Sequence, residues 1–185
     1  DSNVAGATTS YANLDASKVI GQGVSVTGSS VINTITGTKQ ADTIVGAAGG
    51  DVINVGTGTD TVKYTAAAQT FDSAITSGMT VLTGIDVISG MAAGDILTLF
   101  AGATIASSTT VGTSIMTAGS ADAAAIVKGD YNATTGIFTT SSTGADSLVQ
   151  WDSNGTTAAG NVESIILVGF AGSLTATAAN TLTLA

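Results

Sequence analysis

Residues 28–63 divide into four successive nine-residue units, GSSVINTIT, GTKQADTIV, GAAGGDVIN and VGTGTDTVK. Their sixth positions hold Asn33, Asp42, Asp51 and Asp60, and their eighth hold Ile35, Ile44, Ile53 and Val62. A unit this short cannot bury its own apolar residue, so a chain that repeats it must stack copies to make a core. Apart from Val31, Ile32 and Val55, the first six residues of each unit are small or polar, and the last three form a β-segment around an apolar centre. A tight turn followed by a short strand, repeated, winds into a parallel solenoid with two strands per coil. Side chains alternate along a strand, and position eight points inward. Val26, Ile44 and Val62 are then expected to stack on one sheet, and Ile35 and Ile53 on the other. Glycines permit the positive-φ conformations such turns need.

The repeat fades at both ends. The preceding unit, VIGQGVSVT, keeps the phase through Val26 but has Val24 in place of the acid; the following one, YTAAAQTFD, has Gln69 and Phe71. Downstream, GIDVISGMAAGDILTLF returns to the theme with Asp86 before Ile88 and Asp95 before Leu97, again nine apart. Asp86 and Asp95 either cap the last site of the solenoid or end strands.

Turns of alternate units lie one above the other, so Asp42 is expected to meet the loop carrying Asp60, and Asp51 the loop carrying Asn33. Stacked carboxylates repel, and the turn carbonyls beside them lack partners. A hard cation with oxygen-only coordination solves both problems, and Ca²⁺, taking six to eight oxygens, suits such turns. The candidate ligands are Asp42, Asp51, Asp60 and Asn33, the turn glycines Gly37, Gly46, Gly49 and Gly58, and Asp86 and Asp95 at the end.

These units resemble the G-G-x-G-x-D-x-U-x nonapeptide of the RTX family of calcium-binding β-rolls. GAAGGDVIN and VGTGTDTVK are the closer copies, while GTKQADTIV lacks the second and fourth glycines. The departures at Val24, Asn33 and Gln69 imply a short roll with one or two full sites, and the Asp86–Asp95 segment is similar to the strand pair that closes such rolls. The resemblance implies an extracellular protein of a bacterial cell surface, exported by type I secretion and folded outside by millimolar calcium. A second, compositional resemblance is to the ends of surface-layer and adhesin-like proteins.

The composition agrees with thin, regular β-structure: 44% hydrophobic residues, yet only 4% aromatic and 9% charged. Thirteen acids against four lysines give a net charge of −9, which excludes a phosphate-neutralising nucleic-acid footprint. Cysteine and histidine are both absent, removing disulfides, zinc sites and thiol or imidazole chemistry. No apolar run approaches the roughly 18–20 residues of a membrane span. The N-terminus at Asp1 has no charged and apolar leader pattern, so no cleavable signal is expected there.

After a Ser/Thr/Gly-rich stretch, residues 123–170 read as four strands of an antiparallel meander, with turns at Asn132, Gly136, Gly144 and Asn154-Gly155. Trp151 and Tyr131 are expected in its core, and residues 172–185 as one more strand. Residues 152–163 carry Asp152 and Glu163 at the spacing of a calcium loop, but the glycine at the fourth place favours a hairpin turn. The expected organisation is all-β: a leading segment 1–18, a calcium-binding parallel roll with closing strands 19–100, and an antiparallel β-module or secretion region 101–185. The expected role is calcium-dependent structure or assembly in a surface-layer or cell-surface protein, not catalysis. Self-association follows from it, with contact to surface polysaccharide through regions outside this chain. The alternative is a folding and secretion module of a larger adhesin or exoenzyme.

Overall fold

The computed structural model describes residues 10–11, 13–66, 71–72, 84–100, 110–112, 124–152, 162–178 and 180–185, and within them the chain is all strand and turn. The roll begins with β1 (Ser10–Tyr11), β2 (Asn13–Asp15), β3 (Ser25–Gly28), β4 (Thr34–Thr36), β5 (Thr43–Val45), β6 (Val52–Asn54) and β7 (Thr61–Lys63). There follow β8 (Phe71–Asp72), β9 (Asp86–Ser89) and β10 (Ile96–Thr98). The C-terminal part holds β11 (Thr110–Gly112), β12 (Ala124–Asn132), β13 (Ile137–Thr140), β14 (Asp146–Asp152), β15 (Val162–Val168), β16 (Leu174–Ala178) and β17 (Thr181–Leu184).

Successive strands of the roll alternate between two sheets. One runs β1-β3-β5-β7-β10 and the other β9-β6-β4-β2, all parallel within the roll. Val26 pairs with Ile44, Ile44 with Val62 and Val62 with Leu97; on the facing sheet Leu14 pairs with Ile35, Ile35 with Ile53 and Ile53 with Ile88. From Val26 to Leu97 and from Ile35 to Ile88 these side chains are buried, whereas Val52, one position earlier, stands exposed. The inward phase read from the repeat is the phase in the fold. Each such side chain contributes about 1.5–3 kcal/mol by leaving water.

The coil spacing of Asp42 to Asp60 does not persist to Asp86 and Asp95, because residues 64–85 intervene, yet β9 and β10 return to the registers that β6 and β7 set up. Gln69 and the Asn154-Gly155 turn lie outside the described residues.

Antiparallel strands follow the roll, and they are built onto its own two sheets. β15 pairs in parallel with β9, and β14 and β12 extend that sheet; β17 pairs antiparallel with β10, and β16 completes the other. Their inward residues Ile126, Val149, Trp151, Ile165, Leu167, Leu182 and Leu184 continue the core of the roll. A second cluster on the opposite face joins Ile85, Val127, Phe138, Leu148 and Ile166.

Two expectations for this region are corrected. The four strands 124–168 do not form a simple meander, because β14 hydrogen-bonds to β12 and not to β13. β13 is only four residues long and covers Gly129 to Asn132, whereas β14, buried along its whole length, needs the longer Ala124-to-Gly129 edge. The terminal segment is two strands, not one: β16 and β17 form a hairpin around Asn180, which takes a left-handed φ of 58°. Asparagine tolerates that conformation better than most residues. Trp151 is buried as expected, but against the roll, its ring 5.2 Å from that of Tyr64. Tyr131 is only partly buried, beside the second cluster.

Candidate metal centre

The turns that join the strands stack in two columns, one on each side of the roll. Asp42, Asp51, Asp60, Asp86 and Asp95 all lie in these turns or at strand starts, and all are buried, as is Asn33. Each aspartate uses one carboxylate oxygen to tie its coil to the one before it. Asp42 Oδ1 accepts the amide of Val24 at 2.7 Å, Asp60 Oδ1 that of Asp42 at 2.8 Å, and Asp95 Oδ1 that of Asp60 at 2.8 Å. On the other side Asp51 Oδ1 accepts the amide of Asn33 and Asp86 Oδ1 that of Asp51, both at 2.8 Å. The sixth position is thus a rung of a side-chain-to-backbone ladder. Sequence reasoning missed this role, which needs the coil-to-coil distance, and it extends through Asp86 and Asp95 as members of the ladder.

The second oxygen separates the aspartates. In the GTKQAD turn, Asp42 Oδ2 accepts the Thr38 amide at 2.6 Å, and the Thr38 hydroxyl adds a bond to Oδ1. Asp95 Oδ2 accepts the Ala92 amide and Asp86 Oδ2 the Tyr64 hydroxyl, each at 2.8 Å. Asn33 Oδ1 accepts the Ser29 amide. Asp51 Oδ2 and Asp60 Oδ2 are buried with no hydrogen-bond partner.

Turn conformation accounts for the difference. The residue four before Asp51 is Ala47 at φ 72°, and the residue four before Asp60 is Gly56 at φ 92°. Thr38 stands at the equivalent place before Asp42 with a negative φ and aims its amide at its own aspartate. The Gly56 amide donates instead to Asn54 Oδ1 at 3.0 Å. The fourth positions, Gly49 and Gly58, also take positive φ, 128° and 144°. The two units nearest the repeat pattern are therefore the two whose turns leave a carboxylate oxygen unclaimed.

The glycines have a packing reason as well. A Cβ on Gly37 would run into the Val55 carbonyl and Asp42 Oδ2, and one on Gly46 into Asp51 Oδ2; at Gly49 and Gly58 it would crowd the Val31 and Gln40 backbones. Turn backbones of neighbouring coils meet at these points.

An unclaimed buried carboxylate oxygen is costly, by about 1–3 kcal/mol and more when charged. Burial accordingly pushes the Asp51 and Asp60 carboxyls up to about 6, and that of Asp86 to about 8. Asp42 and Asp95 raise Asp60 further, and Asp51 and Glu163 raise Asp86. A divalent cation removes this penalty, so the residues present fit a hard metal ion. Among the described residues no three acids come together around one point. A coordination sphere here is one of few carboxylates and many carbonyls, a donor set suited to Ca²⁺.

A parallel solenoid of two strands per coil, with glycine-rich turns and aspartate rungs between its coils, is a β-roll. Residues 27–62 match the RTX calcium-binding nonapeptide repeat in four copies. The chain carries an RTX calcium-binding β-roll, and Ca²⁺ is its ion. No curated protein matches the chain.

Proposed function

We infer that this chain serves as a calcium-binding structural module of a secreted protein, the role typical of RTX repeats. We propose that this chain is the calcium-dependent structural and assembly part of a secreted bacterial surface-layer or related cell-surface protein. We assign its ion sites to the Asp51 and Asp60 turns. The observation that carries the assignment is the pair of buried, partnerless Oδ2 atoms in the two left-handed turns. Asp42, Asp86, Asp95 and Asn33 frame these turns through the ladder, and carbonyls of the glycine-rich turns, Gly37, Gly46, Gly49 and Gly58 among them, complete the coordination. The buried acids serve framework and ion, so the role is structural, not catalytic. Self-association and contact with surface polysaccharide belong to the same reading.

Calcium titration calorimetry tests the assignment. Two sites are expected in the wild type and one in each of Asp51→Asn and Asp60→Asn, with Asp42→Asn retaining two. Extracellular calcium modules bind with Kd of about 10⁻⁴–10⁻³ M. An unchanged melting temperature in EGTA, with no calcium found in the purified protein, sinks the reading.

A further inference from the structure

The two ion turns differ in what lies behind them. Behind Asp60 the ladder stops within the last turn: Asp95 accepts the Asp60 amide with Oδ1 and its own turn's Ala92 amide with Oδ2. Behind Asp51 it leaves the turn column. Asp86 accepts the Asp51 amide with Oδ1, while its Oδ2 accepts the hydroxyl of Tyr64 at 2.8 Å. Tyr64 follows β7, is buried inside the roll, and is held by its own amide to the Thr98 carbonyl at 2.8 Å. Its ring meets that of Trp151 with the planes at 51°, and Trp151 Nε1 donates to the Phe100 carbonyl at 2.9 Å. Trp151 belongs to β14, which does not pair with any strand of the roll; β15 stands between it and β9.

We propose that Tyr64 is a coupling residue, linking the ion turn at Asp51, and not that at Asp60, to the packing of the C-terminal strands around Trp151. The inference rests on the calcium reading of the Asp51 turn. The physical basis is that a buried tyrosine hydroxyl needs a partner, and this one finds it in the carboxylate that also fixes the Asp51 backbone. A cation drawn to Asp51 Oδ2 fixes that turn, hence the Asp86 carboxylate, hence the tilt of the Tyr64 ring on the indole. Trp151 is the single tryptophan of the chain, so tryptophan emission reports its surroundings and no other site.

Calcium titrations of the full chain followed by tryptophan emission test the coupling, with calorimetry in parallel for stoichiometry. The wild type and Asp60→Asn are expected to show the emission change, and Asp51→Asn to lose it. Tyr64→Phe keeps the ring and removes only the hydroxyl; it is expected to bind as many ions as the wild type with at least half of the emission change lost. If Tyr64→Phe does not fold, the comparison of Asp51→Asn with Asp60→Asn still decides. Equal loss of the emission change in both variants, each still binding one ion, overturns the coupling while leaving the assignment of the two calcium sites intact. Full calcium stoichiometry in Asp51→Asn overturns the coupling and the site assignment together.

Discussion

Ala47 holds a left-handed backbone at φ 72° in the turn that precedes Asp51. A side chain there costs roughly 1–2 kcal/mol, against the smaller entropy that glycine loses on folding. Ala47→Gly is expected to raise stability by about 0.5–1 kcal/mol, read as a higher urea midpoint at unchanged slope; a lower midpoint contradicts the turn geometry. A sharper contrast separates Asp42 from Asp51. All of the hydrogen bonds to Asp42 come from protein groups, so Asp42→Ala leaves buried amides unpaired and is expected to cost about 1–3 kcal/mol even in EGTA. Asp51→Asn keeps the oxygen that accepts the Asn33 amide and removes the unclaimed charge. Its EGTA melt is expected to match or exceed the wild type, while its stabilisation by calcium is diminished. The acids of the repeat were legible as a column of carboxylates. Which of them has a free oxygen was not legible, because that depends on the φ of a residue four places earlier.

The turn and strand elements carry the pH behaviour. The Asp51, Asp60 and Asp86 carboxyls titrate higher in the fold, near 6, 6 and 8, than the ordinary value of 3.8. Between those values the folded state holds more protons than the unfolded state, so stability falls as pH rises. In EGTA the melting temperature is expected to fall from pH 4 to pH 8, most steeply up to about pH 6. Saturating calcium is expected to flatten that slope, since the ion takes over the role of the proton; a metal-free melt that rises over this range contradicts it. On the strands, Ile53→Asp places a charge inside the roll and is expected to cost about 4 kcal/mol or more. Thr43→Asp, at the half-buried seventh position, is expected to cost far less. The strand phase was readable because alternation alone decides which residues face a common axis. The hydrogen-bond ladder was not, because it joins residues whose proximity only the wound coil creates.

For the whole molecule, two calcium ions bring the formal net charge from −9 to about −5 and quiet the repulsion within each turn column. Under the assembly reading, light scattering is expected to rise across a millimolar calcium titration and not with magnesium, which demands stricter octahedral geometry. Folding without association at high protein concentration argues for the secretion-module alternative. The strand order beyond Phe100 lay outside the reach of sequence patterns. Val127 and Leu148 face one way and Val149 and Trp151 the other, so β14 is buried on both sides and its neighbours cannot be chosen by a single-face rule.

The pairing of Leu97 with Leu182 also sets an order in time. The coils carrying Asp51 and Asp60 close through contacts between residues near in sequence and can wind as soon as that stretch is free. The edge of β10 is met only when β17 arrives, after every strand from β11 to β16 has been supplied. Extra loop length adds little to the equilibrium cost of that closure, but distant pairing is slow to find. A truncated or still-emerging chain can therefore wind coils without sealing them, and the closing of that edge waits on β17.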